Sequence, residues 1–188
     1  MFRDVATQSG IVFKHTNGAS PSKHIVETMG SGGLFFDYDG DGWLDVLVVD
    51  GGSVADPRTA AAARTRLFRN RGDGTFADVT AAAKIEHAGY GMGACAADYD
   101  NDGHDDLYLT GFGNNVLYHN NGDGTFSDVT RAAGVGASGL STSCAFADVD
   151  NDGKVDLFVA RYVDPEDNSK VCGDSSLRSD GAACKQMS

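Results

Sequence analysis

Three stretches of this chain place carboxylates at positions 1, 3, 5 and 9 of one frame, with glycine at position 6. The clearest is Asp98, Asp100, Asp102 and Asp106 around Gly103, in the run D-Y-D-N-D-G-H-D-D. The same frame holds Asp37, Asp39, Asp41 and Asp45 around Gly42, and Asp148, Asp150, Asp152 and Asp156 around Gly153. Oxygen donors on alternate residues of a loop that curls back on itself converge on one point. Six to eight oxygens at roughly 2.3–2.6 Å are what a hard cation such as calcium takes. Glycine at position 6 allows the positive φ of the sharp turn, and position 4 is Gly40, Asn101 or Asn151, the types that enter the left-handed region most cheaply. Position 7 varies (Trp43, His104, Lys154), as expected of a residue that offers only its backbone carbonyl. The reading is three calcium sites. The ion neutralises carboxylates that would otherwise repel one another.

These loops are not EF-hands, which close with a bidentate Glu at position 12. Here position 12 is Val48, Leu109 or Val159. The ninth-position aspartate leads into short apolar runs, Val46 to Val49, Leu107 to Leu109 and Leu157 to Val159. β-Branched, aromatic and apolar on both faces, these runs predict buried strands. Each loop therefore sits between two strands.

A second motif follows the first two loops. Leu67-Phe68-Arg69-Asn70 and Thr75 to Val79 flank Arg71-Gly72-Asp73-Gly74, and Leu117-Tyr118-His119-Asn120 and Thr125 to Val129 flank Gly122-Asp123-Gly124. Two β-runs around a Gly-Asp-Gly turn predict a hairpin. Thr80 and Thr130 are placed to cap the short turns that follow. Each complete unit then has four strands, the outline of a propeller blade, in an all-β fold. Blade 1 covers 30–80, blade 2 covers 89–130, and 140–163 is a partial blade 3 without its closing hairpin. Residues 1–29 hold a closing strand at Phe2-Arg3-Asp4-Val5, matching Phe76 to Val79, and a polar excursion. Pro57 and the run Ala60 to Ala63 predict a loop with a short helical turn, and 164–188 is a polar tail with Cys172 and Cys184.

The D-x-D-x-D-G-x-x-D loops followed by N-x-G-D-G-T-F hairpins resemble the FG-GAP/VCBS repeat family, and most closely the bacterial relatives of cartilage acidic protein. The resemblance covers residues 1 to about 163. It implies a calcium-bearing propeller of the kind found in integrin α-subunit heads, Ca²⁺ held by the aspartates above, an extracellular or secreted setting, and a binding or adhesive role with a protein or glycan partner. The family's propellers have seven blades, and propellers generally close with 4–8. Two and a half blades leave three readings open. The chain is part of a longer protein, or a subunit whose N-terminal strand completes a neighbour's third unit, or an open stack. The last two make self-association through unpaired blade edges a second function, that of an extracellular fibre subunit. A third class is part of an enzyme built on a propeller scaffold, as in some calcium-dependent polysaccharide lyases.

The remaining composition narrows the field. The net charge is −12, from 15 basic and 27 acidic residues, and the loop frames supply twelve of those acids. No basic stripe exists to neutralise phosphates, which argues against nucleic acid. No apolar stretch is long enough to span a membrane, and Met1 opens no signal peptide. No nucleophile elbow, metalloprotease or zinc motif occurs, so no catalytic residue is expected. Gly91-Met92-Gly93 precedes a calcium loop rather than a helix and fails as a dinucleotide fingerprint. Arg71-Gly72-Asp73 is an RGD tripeptide, yet the hairpin turn already accounts for its glycine and aspartate. Cys172 and Cys184 suggest a disulfide. Cys95 and Cys144 read as buried thiols by default, with a bridge between adjacent blades left open.

Overall fold

The computed structural model describes residues 2–21, 25–52, 65–87 and 89–163. The expected helical turn at Ala60 to Ala63 and the Cys172–Cys184 disulfide lie outside the described residues. Within them the chain is almost wholly β. The first sheet holds β1 (Gly33–Phe36), β2 (Asp45–Val48), β3 (Arg66–Asn70) and β4 (Phe76–Asp78) in sequential antiparallel order. The next four strands, β5 (Tyr90–Ala97), β6 (Asp106–Phe112), β7 (Val116–Asn120) and β8 (Phe126–Asp128), repeat the pattern. A final hairpin of β9 (Leu140–Ala147) and β10 (Asp156–Val163) joins the second set where Leu140 pairs with Phe112. This gives blades 1 and 2 and the partial blade 3 expected from the repeats. In each, an aspartate loop connects the first two strands.

The core lies between the blades. Phe36, Leu47 and Leu67 of blade 1 pack in one cluster with Leu107, Leu109 and Tyr118 of blade 2. Strand register explains the apolar residues on both faces: Leu34–Leu47–Leu67 share one face of blade 1, and Phe35–Val46–Phe68 share the other. The expectation that both faces are covered holds for β6, where Leu107, Tyr108 and Leu109 are all 0% exposed. It does not hold at the outer sheets, where Phe35 is 69% and Phe158 is 70% exposed. The reason is geometric, since each of these side chains points away from the described neighbouring blade.

The innermost strands of adjacent blades come very close, which explains the glycines before the second loop. A Cβ on Gly91 would lie 2.5 Å from Val49 Cγ1 and 2.7 Å from the Asp50 carbonyl, and one on Gly93 would lie 2.8 Å from the Thr142 carbonyl. These residues are strand, continuing β5 back to Tyr90. Beside them Cys95 and Cys144 form a disulfide between β5 and β9, with Cα atoms 5.8 Å apart. The default reading of both as free buried thiols is thereby corrected. Strands that face each other across a blade boundary bring together cysteines 49 residues apart.

Blades 1 and 2 are each clasped by the turn that precedes them in the chain. In the turn after β4, the Ala83 N–H donates to the Val79 carbonyl, and the Ala83 carbonyl then accepts the Phe126 N–H of blade 2 at 2.9 Å. The N-terminal segment builds the same turn. The Ser9 N–H donates to the Val5 carbonyl, and the Ser9 carbonyl accepts the Phe76 N–H of blade 1 at 2.7 Å. Residues 2–5, expected as a closing strand, join no ladder among the described residues, and Phe2 is fully exposed. The polar excursion is tied inward by Tyr90, whose hydroxyl donates to the carbonyls of Val26 and Asn17. Around it, Val26, Tyr90, Met92 and Leu140 form a second small core.

The threonines do not cap. The short helix α1 (Thr130–Ala133) has Val129 at its N-cap and no side-chain cap bond. Instead the Thr130 hydroxyl accepts the Leu117 N–H and donates to Asp128 Oδ1, and Thr80 does the same between Leu67 and Asp78. An N–H of the third strand, left without a ladder partner beyond the short fourth strand, competes better for the hydroxyl than the turn does.

Candidate metal centre

The three aspartate loops share one internal construction. In loop 1, Asp37 accepts the N–H of Asp41 on Oδ1 and that of Gly42 on Oδ2, while Asp41 Oδ1 accepts the N–H of Trp43. Asp98 and Asp102 repeat these bonds in loop 2, to Asp102, Gly103 and His104. Asp148 and Asp152 repeat them in loop 3, to Asp152, Gly153 and Lys154. The turn rests on left-handed residues at positions 4 and 6, with φ of 71° and 86° at Gly40 and Gly42, 60° and 93° at Asn101 and Gly103, and 61° and 87° at Asn151 and Gly153. The position-7 residues Trp43, His104 and Lys154 are thus fixed through their N–H groups, and their carbonyls remain the candidate donors. The side chains of Trp43 and His104 go elsewhere, Trp43 lying against Gly72 and His104 against Gly122.

The ninth-position aspartates tie each loop to the sheet. Asp45 is fully buried and accepts the N–H of Tyr38 on Oδ2 and that of Asn70 on Oδ1 at 2.7 Å. Asp106 is equally buried and accepts from Tyr99 and Asn120. Asp156 accepts from Val149. Burial pushes the Asp45 carboxyl up to about 6, against the lowering effect of its two N–H donors, and the charges of Asp39 and Asp41 add to the rise. Asp106 moves in the same direction for the same first cause. Carboxylates crowded and dehydrated in this way favour a cation among them.

The geometry brings together Asp37, Asp39 and Asp41 in loop 1, Asp98, Asp100 and Asp102 in loop 2, and Asp148, Asp150 and Asp156 in loop 3, each set with ligand atoms within 4.8 Å of one another. Asp45 falls outside the first of these sets, and Asp152 outside the third. In loop 2, Asp106 joins Asp100 and a residue absent from the frame, His119. His119 Nδ1 is 3.3 Å from Asp100 Oδ2 and 3.2 Å from Asp106 Oδ1. Loop 1 has a counterpart at the same hairpin position, Arg69, with Nε 2.5 Å from Asp39 Oδ2 and Nη2 3.0 Å from Asp41 Oδ2. The signal was present in the sequence as an arginine or a histidine before the asparagine of each hairpin. Read within its own motif, it gave no reason to connect that residue to the aspartate loop on the far side of the preceding strand.

The donor chemistry fits a hard divalent cation. The loop side chains offer oxygen ligands throughout, and Asp39 Oδ1 is buried without a hydrogen-bond partner. The model for the FG-GAP-like repeat matches twice, over residues 37–109 and 98–159. Together these matches span more than half of the sequence. The chain belongs to the FG-GAP-like repeat family. No curated protein matches it significantly. Each FG-GAP-like match contains two of the aspartate loops and, between them, the connecting strands.

The hairpin turns of this FG-GAP-like chain are structural. Asp73 Oδ1 accepts both the N–H and the hydroxyl of Thr75, and Asp123 binds Thr125 identically. The Arg71-Gly72-Asp73 tripeptide is therefore one variant of a turn found again at Asn121-Gly122-Asp123. No helix among the described residues is long and apolar enough to cross a membrane.

Proposed function

We propose that this chain is an extracellular calcium-binding repeat module in which three ions brace the loops between the inner strands of each blade. In this reading its outward surface binds a protein or glycan partner, and the module carries no catalysis of its own. The observation behind it is the convergence of carboxylates on the same left-handed turn in three blades, each loop fastened to its sheet by the ninth aspartate. The inter-blade disulfide suits an oxidising compartment. Calcium would be held by Asp37, Asp39, Asp41 and Asp45, by Asp98, Asp100, Asp102 and Asp106, and by Asp148, Asp150, Asp152 and Asp156, with the carbonyls of Trp43, His104 and Lys154. Its role is charge neutralisation and bracing.

A second reading, head-to-tail assembly into a fibre, draws on the exposed Phe35 and Phe158 faces and on the N-terminal turn that clasps blade 1 as blade 1's own turn clasps blade 2. Sedimentation velocity with millimolar calcium and then with chelator separates the two. A monomer that expands on chelation supports the braced module, and large calcium-dependent particles support the fibre. A compact monomer indifferent to chelator overturns the calcium reading. With extracellular-module affinities of about 10⁻⁴–10⁻³ M, each site contributes about 0.4–1.4 kcal/mol at about 1 mM calcium. Thermal melts should rise by several degrees accordingly.

A further inference from the structure

The three loops differ in what sits opposite their carboxylates. Arg69 on β3 holds Asp39 and Asp41 of loop 1 through two nitrogens, at 2.5 and 3.0 Å. At the equivalent place on β7, loop 2 has His119. No described lysine, arginine or histidine pairs with the carboxylates of loop 3. Arg69 is not there by accident of a loose surface side chain. Its neighbour Asn70 donates its N–H to Asp45 at 2.7 Å, and Phe68 on the other side is 1% exposed, so the strand is pinned on both sides of it. The guanidinium nevertheless remains 44% exposed, which leaves it an outward path. Arginine keeps its charge at every physiological pH and offers no lone pair to a metal.

We propose that Arg69 is a tethered counter-cation that competes with calcium for loop 1, making it the weakest and last-filled of the three sites. The inference rests on the calcium reading above and adds an order of filling to it. A dication entering loop 1 must take Asp39 and Asp41 away from the guanidinium, which swings to solvent. Asp39 Oδ1, buried and without a hydrogen-bond partner, is the oxygen first available to the incoming ion. Without calcium, Arg69 supplies the positive charge, so blade 1 depends less on the metal than blade 3.

The chain carries its own reporter. Trp43 is the single tryptophan, occupies position 7 of loop 1, and donates its N–H to Asp41. Terbium luminescence excited at the red edge of tryptophan absorption therefore reads loop 1, while isothermal titration with calcium counts all the loops. In the unaltered chain, the Trp43-sensitised signal should rise only after most of the calorimetric heat has been released. Arg69→Ala should shift its midpoint about tenfold toward lower metal, from the loss of one nearby charge. Arg69→Lys should stay near the starting value. Arg69→Gln, which keeps polar reach without charge, carries the test should Arg69→Ala not fold. Coincident midpoints for the neutral variants and the parent, with calorimetric binding intact, would overturn the proposal and leave the calcium reading standing. No heat in any protein would remove both.

Discussion

The disulfide between Cys95 and Cys144 is the only covalent cross-link between blades among the described residues, and its removal makes a quantitative prediction. It closes a loop with a sequence separation of 49. In the chain-entropy description such a loop restrains the unfolded chain by about 14 cal/mol/K, or about 4 kcal/mol at 25 °C. For a chain of this size, about 1 kcal/mol corresponds to about 2–4 °C, so reduction should lower the melting temperature by about 8–16 °C. The two half-buried sulfurs leave little cavity, so Cys95→Ser/Cys144→Ser should match the reduced protein. The effect should fall unevenly. β9 and β10 otherwise join blade 2 by packing and by the pairing of Phe112 with Leu140. Hydrogen exchange should therefore quicken first in β10 and only weakly in β2 and β3. Thermal melts with and without reductant, followed by exchange mass spectrometry, give both readouts. Equal melting temperatures in the two conditions, or two reactive thiols from Cys95 and Cys144 in the unreduced protein, would refute the reasoning.

Two further outcomes follow from buried groups at the blade boundary. His87 is 4% exposed, its Nε2 has no hydrogen-bond partner, and burial pushes its imidazole down to about 4 from 6.5. The unfolded chain thus binds this proton first, so the contribution is intact above about 6.5 and is lost as pH falls through about 4. At pH about 5 the loss is about 2 kcal/mol. Denaturant melts of parent and His87→Leu should diverge from parallel as the pH falls from about 7 to about 5, and parallel curves would remove the assignment. Gly91→Ala should cost about 1–3 kcal/mol, because its Cβ meets Val49 and a fixed carbonyl. Gly30→Ala, with nothing within 4 Å, should stay within about 0.5 kcal/mol in the same melts.

What the sequence revealed and what it hid divide along chain distance. The aspartate loops, their left-handed residues and the hairpin turns are local: the carboxylate bonds that close the turn from Asp98 to His104 span two to five residues, so type and spacing suffice. Four-stranded blades followed because strands consecutive in sequence pair antiparallel. The pairing of Cys95 with Cys144, the tight seat of Gly91 and the reach of Arg69 and His119 over the loops all depend on how one blade or strand lies against another. Periodicity is silent on that. Thr80 and Thr130 show the same limit on a smaller scale, since each hydroxyl serves an N–H thirteen residues upstream rather than its own turn.

The clasp between successive repeats bears on how such chains grow and can be edited. The carbonyl of Ala83 that holds Phe126 belongs, by sequence, to the end of one repeat and, by function, to the next. A cut placed neatly at the edge of the next sheet, just before Tyr90, would deliver blade 2 without the residue that secures its last hairpin. The unit that can be duplicated, transplanted or deleted without leaving an unsatisfied amide runs from one exit turn to the following hairpin. Gene duplication and protein engineering would have to respect that frame, which straddles the visible blades.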